Sequence, residues 1–229
     1  MKLIEFENSS ALDTALVIKV TELLIDTINK RGSASLVVSG GRTPLAFFHL
    51  LSQQVLDWSK VVVTLADERW VDADHGDSNE KLVRENLLIN EAHTAAFIPL
   101  KNAAMDAAEG EIQTESDIEQ MGQFTVVILG MGDDGHTASL FPGAETLALG
   151  LDMNSGRSAI AVTPTAAPHQ RMTLTLPRLL NSQQIIIHIS GAGKQAVLKA
   201  AQAGEDITEL PIRAMLNQQV APLSIFWAK

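Results

Sequence analysis

The sequence predicts an α/β fold in which a parallel or mixed sheet is covered by helices on both faces. Five apolar runs rich in Val and Ile have the length of strands, and they lack the polar alternation of a strand that faces solvent. Helical patterns separate these runs, so strands and helices alternate along the chain. The predicted strands occupy residues 36–38, 61–65, 125–129, 185–189 and 223–227, and the predicted helices occupy residues 12–30, 44–53, 79–88, 106–121 and 194–203.

Length and composition predict one folded domain over residues 1–229. Hydrophobic residues make up 46% of the 229 residues and charged residues 19%, which is typical of a packed globular protein. The weaker segments at 103–119 and 143–157 are predicted as a peripheral helix and a surface loop, not as linkers between domains. The sequence leaves the oligomeric state open and is compatible with a monomer.

The charge balance disfavours several classes of partner. Lys and Arg number 17 against 27 Asp and Glu, so the net charge of −10 repels nucleic acid. Glu5 and Glu7 interrupt the apolar character of the N-terminus, and no run of 18 apolar residues follows. We therefore expect no nucleic-acid partner, no membrane segment and a cytoplasmic location.

The first candidate site is the segment SGGRTP at residues 39–44, between a predicted buried strand and a predicted helix. Thr43 is the expected N-cap and Pro44 the expected first helical residue. Gly40 and Gly41 allow the backbone to approach a ligand closely, and the unpaired N–H groups of a helix start favour an anion. The segment predicts a phosphate site, with a tight turn that binds nothing as the alternative.

The second candidate site lies directly after the predicted strand at 61–65, where open α/β sheets bind their ligands. Asp67 and Arg69 supply a carboxylate and a guanidinium that can orient and polarise a substrate. The alternative is a solvated loop with a surface ion pair. Asp77 and Glu80 have the spacing of a capping box and predict the start of the next helix.

The third candidate site is GMGDDGHTASLFP at residues 130–142, again after an apolar run. Three glycines around one histidine are costly in a merely structural loop, but they suit a chain that bends to present His136 in a cleft. Asp134 lies two residues earlier and can fix the imidazole tautomer and raise its basicity. A structural histidine is the alternative.

The fourth candidate site is SGAGK at residues 190–194, where Lys194 opposes the dipole of the predicted helix unless an anion compensates it. A surface lysine on a tight turn is the alternative. Arg171 begins the alternating run at 171–177, which is predicted as a strand, and either contacts the ligand or closes a sheet edge.

No metal or organic cofactor is expected. Asp67, His75, Asp133 and His136 are residue types that bind metals, but the sequence lacks the close histidine pair of helical zinc sites. The absence of cysteine excludes thiolate ligands, disulfides and a cysteine nucleophile.

The four segments, together with DERWV at 67–71, DSN at 77–79 and RMTLTLP at 171–177, resemble the 6-phosphogluconolactonase family. The resemblance implies a Rossmann-like α/β fold of the sugar-phosphate isomerase type. The first glycine turn is shared with glucosamine-6-phosphate deaminases and isomerases, whose loop after the histidine carries a glutamate that the segment 138–142 lacks. Val71 is followed by Asp72, where the family commonly has proline.

The resemblance implies hydrolysis of 6-phospho-D-glucono-1,5-lactone to 6-phosphogluconate, in the oxidative pentose phosphate pathway, without a cofactor. Two alternatives stay open at this stage: a deaminase or isomerase of amino-sugar phosphates, with Asp67 as the base, and a sugar-phosphate sensor without catalysis. An acyl-enzyme on Ser139 is a weaker version of the mechanism, because its surroundings are not a nucleophile elbow. The expected catalytic residues are His136, Asp134, Asp67 and Arg69, and the expected phosphate-binding residues are Gly40, Gly41, Arg42, Thr43, Arg171 and Lys194.

Overall fold

The computed structural model describes residues 1–165 and 167–229, and within these ranges the chain forms ten strands and eight α-helices. The strands are β1 (Lys2–Phe6), β2 (Ala34–Val38), β3 (Val61–Leu65), β4 (Asp67–Arg69), β5 (Ala96–Ile98), β6 (Phe124–Leu129), β7 (Ala159–Val162), β8 (Arg171–Leu174), β9 (Ser182–Ser190) and β10 (Leu223–Ala228). The helices are α1 (Ser9–Arg31), α2 (Leu45–Ser52), α3 (Asn79–Asn86), α4 (Ala107–Glu119), α5 (Leu147–Leu151), α6 (Leu176–Leu180), α7 (Ala192–Gln202) and α8 (Ile212–Asn217).

The main sheet has seven strands in the order β1-β10-β9-β6-β2-β3-β5, and all its neighbours pair in parallel. Every residue of β2 and β6 is buried, as their continuous apolar runs require. This architecture confirms the predicted α/β fold. The sequence analysis missed the edge strand β1, because its burial alternates and its apolar run is short.

The chain order places a topological switch between β2 and β6. From β2 the chain builds the sheet outward through β3 and β5, whereas β6 is followed by β9 and β10 on the other side. In a sheet of this kind, the loops at the carboxyl ends of the two central strands diverge and leave a crevice. The first and third candidate segments follow these two strands directly.

A second, antiparallel sheet of three strands lies at the same end of the fold, in the order β4-β8-β7. Its register places Asp67 opposite Thr173 and Arg69 opposite Arg171.

The predicted strand at 171–177 is longer than the observed strand β8. It ends at Leu174, because the Thr175 hydroxyl caps the following helix α6, which has proline in its first turn.

The segment at 143–157 is not a plain surface loop, because it contains α5 and ends in a polar network. The Arg157 guanidinium donates to Glu115 at 2.7 Å and to Glu111 at 2.6 Å, and both glutamates belong to α4. Glu115 also accepts from the amide of Ser158 at 2.9 Å, and Glu111 accepts from the amide of Ala161 at 2.7 Å. The network attaches α4 to β7, and the two glutamates raise the pKa of Arg157.

In residues 1–165 and 167–229, no helix is both long and apolar enough to cross a membrane.

Arg157→Met should lower the free energy of unfolding by about 1–2 kcal/mol, because two partly buried carboxylates then lose their cation. Urea denaturation at neutral pH measures this change. Lys199→Met is the matched control, since Lys199 is exposed on α7 and its loss should change the stability little. Equal stabilities for the two variants would contradict the structural role of the network.

Candidate active site

One cavity of about 230 Å³ opens at the carboxyl edge of the main sheet. Its walls come from the loops that follow four parallel strands, β2, β3, β6 and β9, which converge at the switch point. The predicted residues that line it are Gly40, Gly41, Thr43, Asp67, Arg69, His136 and Lys194. The tertiary structure thus brings all four candidate segments to one concave surface.

The backbone of the loop after β2 comes close to the cavity, because Gly40 and Gly41 have no side chains. A Cβ at Gly40 would lie 1.8 Å from Asn79 Oδ1, and Gly41 has a φ of +95°, a conformation that favours glycine. The hydroxyl of Ser39 is a buried polar atom with no hydrogen-bond partner among the described residues. An unpartnered hydroxyl beside a glycine turn suits an anionic ligand.

The start of α2 differs from the predicted one. The helix begins at Leu45 and Pro44 is the residue at its N-cap, so the prediction of Thr43 as N-cap is wrong. Pro44 has a φ of −81° and a ψ of −1°, which already turns the chain without a capping side chain. Thr43 instead lines the cavity.

Asp67 and Arg69 lie on β4 and line the cavity. Asp67 is buried, and its Oδ2 accepts a hydrogen bond of 2.6 Å from the Ser139 hydroxyl. Arg69 Nη1 donates to the carbonyl oxygen of Asp77 at 2.7 Å. Both side chains are therefore held by the loops that flank them.

Between them, Glu68 is a buried anchor that the sequence analysis missed. Its carboxylate accepts hydrogen bonds from the amides of Asn79 and Glu80 at 2.8 and 2.7 Å, and from the Ser78 hydroxyl at 3.1 Å. Burial raises the pKa of Glu68, while these amides and that of Arg69 stabilise its ionised form. Glu68 thereby joins β4 to the start of α3, and no short-range sequence pattern predicts this contact.

The imidazole of His136 borders the cavity and has 29% of its side chain exposed. Its Nδ1 lies 2.5 Å from Asp134 Oδ1, and its ring packs on Phe141 with centroids 4.4 Å apart. A Cβ at Gly132 would lie 2.1 Å from that Nδ1, so glycine is required there. With Nδ1 paired to a carboxylate, Nε2 is the nitrogen left for a ligand.

Lys194 lies in the first turn of α7, where Gly191, with a φ of +90°, forms the N-cap. Its ammonium group contacts Asp133 Oδ1 at 2.6 Å, and this contact lowers the pKa of Asp133. Asp133 is 88% exposed, whereas Lys194 is 26% exposed and borders the cavity. This ion pair holds the Lys194 ammonium group at the wall of the cavity.

The remaining predicted residues do not line the cavity. Arg42 is exposed on the loop after β2, and Asp134 reaches the cavity only through His136. Arg171 is buried, and its Nη1 donates to the carbonyl oxygens of Pro168 and His169. Burial, followed by the nearby Arg69, lowers the pKa of Arg171.

His188 is a second histidine at the cavity, and it lies within the predicted strand at 185–189. It lies on β9, its Nε2 is 3.3 Å from Asp13 Oδ1, and both side chains are buried. The partner Asp13 belongs to α1, far away in sequence, so no local pattern signals the pair.

The chain is similar to known proteins over nearly its whole length. Residues 7–227 match the model of the family described as glucosamine-6-phosphate isomerases/6-phosphogluconolactonase. A 6-phosphogluconolactonase of Rhizobium meliloti (strain 1021) is 46% identical over 224 residues, which cover 97% of each chain. One from Pseudomonas putida is 40% identical over 227 residues, covering 99% of this chain and 93% of the other. The crystal structure of a 6-phosphogluconolactonase from Shewanella baltica OS155 is similar with a TM-score of 0.98 and 44% identity, covering 100% of this chain and 98% of that one.

Gly40→Ala should lower the free energy of unfolding by about 1–3 kcal/mol, because the new methyl group displaces the buried Asn79 side chain from its hydrogen bond to Asp67. Thermal or urea denaturation measures the loss. Gly130→Ala is the matched control, since Gly130 follows β6 as Gly40 follows β2, and its Cβ would meet nothing within 4 Å. If both variants were as stable as the parent, the packing of the Asn79 side chain would not restrict position 40 to glycine.

Proposed function

The chain belongs to the family of glucosamine-6-phosphate isomerases and 6-phosphogluconolactonases, and we propose that His136 activates water in this site to hydrolyse a lactone ester. The reaction converts 6-phosphogluconolactone to 6-phosphogluconate, a step of the pentose phosphate pathway, and the relatives cover nearly the whole chain. One observation carries the mechanism: the Asp134–His136 pair and the glycine loop with Lys194 border the same cavity.

The phosphate group of the substrate binds at the loop after β2. Gly40, Gly41, Ser39, Thr43 and Lys194 all border this part of the cavity. Lys194 keeps its contact with Asp133 in the free protein and gains a dianionic partner when substrate binds. Arg42 follows these glycines on the same loop, and its backbone amide is the part of this residue proposed to contact the phosphate.

The lactone carbonyl then lies beside His136. Asp134 holds Nδ1, so Nε2 takes a proton from the attacking water as the tetrahedral intermediate forms. The proton returns to the ring oxygen when the ester bond breaks, which opens the lactone to the hydroxy acid. Ionisation of this acid releases one proton to solvent and leaves 6-phosphogluconate.

Arg69 is the side chain best placed to stabilise the developing oxyanion, because it borders the cavity and its guanidinium is held at Asp77. Asp67 acts as a positioning residue. It holds the Ser139 hydroxyl, and its charge lies near the arginine pair Arg69 and Arg171.

The geometry disfavours an acyl-enzyme on Ser139. This side chain is fully buried and its hydroxyl donates to Asp67, so it lacks access to a substrate in the cavity. The segment after His136 also lacks the glutamate expected of a deaminase.

His136→Ala should lower kcat by about 10²- to 10⁴-fold, because general-base assistance has this size. Lactone disappearance must be followed after subtraction of the spontaneous rate. His49→Ala, which changes an exposed histidine on α2, serves as the control and should keep full activity. Turnover near that of the parent in His136→Ala would remove this imidazole from the mechanism.

Lys194→Met should raise KM for the phosphorylated lactone by about 10- to 100-fold, the worth of one charge-assisted contact. The same variant should hydrolyse unphosphorylated gluconolactone at the rate of the parent, because that substrate has no group for the lysine to bind. Lys199→Met, five residues further along the same helix, should change neither value. Equal losses on both substrates would assign Lys194 to the chemical step or to the structure, not to phosphate recognition.

A further inference from the structure

A second cluster of reactive side chains lies beside the cavity and takes no part in the proposed hydrolysis. Among the residues that the structure describes, His75, Asp77 and His169 form the one group of histidine and acidic side chains with metal-ligand spacing. One ligand atom from each lies within 4.8 Å of the others. Their side chains are 47%, 54% and 30% exposed, so an ion from solvent reaches them directly.

We propose that His75, Asp77 and His169 form a binding site for a divalent transition-metal ion of the zinc type, beside the mouth of the catalytic cavity. Two imidazoles and one carboxylate are a common zinc ligand set, and the exposure leaves a further position for water. The proposed ion is structural and takes no part in the ester hydrolysis. The test of this inference is therefore independent of the test of the proposed mechanism.

The spacing of the ligand atoms is already close to that of a metal site. Asp77 Oδ2 lies 3.1 Å from His169 Nε2 and 3.9 Å from His75 Nδ1. Ligand atoms about 2.0–2.1 Å from a tetrahedral zinc ion lie about 3.4 Å apart, between these two distances. The third pair, His75 and His169, lies within 4.8 Å, so the ligand atoms must move closer together to bind one ion.

The protonation of the cluster also suits a metal. His75 Nδ1 accepts a hydrogen bond of 3.1 Å from the amide of Asp77, so this nitrogen carries a lone pair, and an ion would take the place of the amide hydrogen at that lone pair. The contact between His169 Nε2 and Asp77 Oδ2 is a hydrogen bond, and an ion would replace its proton.

Two arginines hold the loops that carry the ligands. Arg69 donates to the carbonyl oxygen of Asp77, on the loop between β4 and α3. Arg171 donates to the carbonyl oxygens of Pro168 and His169, on the loop between β7 and β8. His169 has a φ of +67°, which is uncommon for a residue other than glycine, and the contact with Arg171 stabilises this turn. The two loops thus lie next to each other before any ion binds.

An ion at this position would cross-link the two loops beside the cavity. The loops lie at the same end of the adjacent strands β4 and β8, where Arg69 and Arg171 pair in register. Both guanidinium groups are held at carbonyl oxygens of these loops, and their positive charge would weaken the binding of an ion. Occupancy would nevertheless stabilise the folded chain, since the three ligands meet only in the native structure.

The test is metal binding by the full chain, stripped with a chelator and titrated with ZnCl₂ in a calorimeter and with CoCl₂ by visible absorption. His169→Asn is the main variant, because asparagine tolerates the same backbone conformation and offers no imidazole. His75→Asn and Asp77→Asn test the other two ligands. His93→Asn changes an exposed histidine outside the cluster and is the matched control. His136→Ala removes the imidazole of the catalytic cavity, where a metal could bind instead.

The proposal expects one bound ion in the parent, in His93→Asn and in His136→Ala. The three cluster variants should bind Zn²⁺ at least about tenfold more weakly, since each loses one direct ligand. Zn²⁺ should also raise Tm of the parent but not that of His169→Asn, whose metal-free Tm and circular dichroism establish that it folds. Unchanged binding in His169→Asn would overturn the proposal. It would also be overturned if the site were lost in His136→Ala alone, which would place the ion in the catalytic cavity.

Discussion

Parallel pairing of β2 with β6 is the constraint on which the rest of the structure depends. The pairing forces the loops that follow both strands to emerge at the same edge of the sheet and then to diverge. A glycine turn follows one strand and a histidine loop follows the other, so the proposed phosphate site and the proposed general base lie at one cavity although they are far apart in sequence. The helix starts at this edge add N–H groups that favour an anion.

The second layer of organisation is a set of buried polar contacts behind the cavity. Asp67 holds Ser139, Glu68 holds the start of α3, and Asn79 packs against Gly40 while donating to Asp67. Each contact joins two loops that carry functional groups. Because buried polar atoms without partners are costly, these contacts restrict the loops to one arrangement and pre-organise the site for its ligand. The net negative charge of the protein plays no part in these buried contacts.

The sequence analysis predicted the motifs better than it predicted the details of the elements. Strand β8 and helix α6 share the run RMTLTLP, and the alternating pattern could not reveal that the Thr175 hydroxyl ends one and begins the other. At SGGRTP, the expected cap at Thr43 gave way to a turn at Pro44, because proline holds the chain in a helical conformation without a capping oxygen. In both places the local rule was correct in kind, but the predicted boundary was displaced by one to three residues.

The amino-acid sequence by itself determined the class of the fold, the four candidate segments and the family, because apolar periodicity, glycine turns and motif spacing are local properties of the chain. The tertiary structure decided which side chains meet. Glu68 with Asn79, Asp67 with Ser139, His188 with Asp13 and Asp77 with His169 are pairs whose partners lie on different elements, most of them far apart in sequence. Contacts of this kind depend on strand order and register, and a single sequence carries no local signal for either.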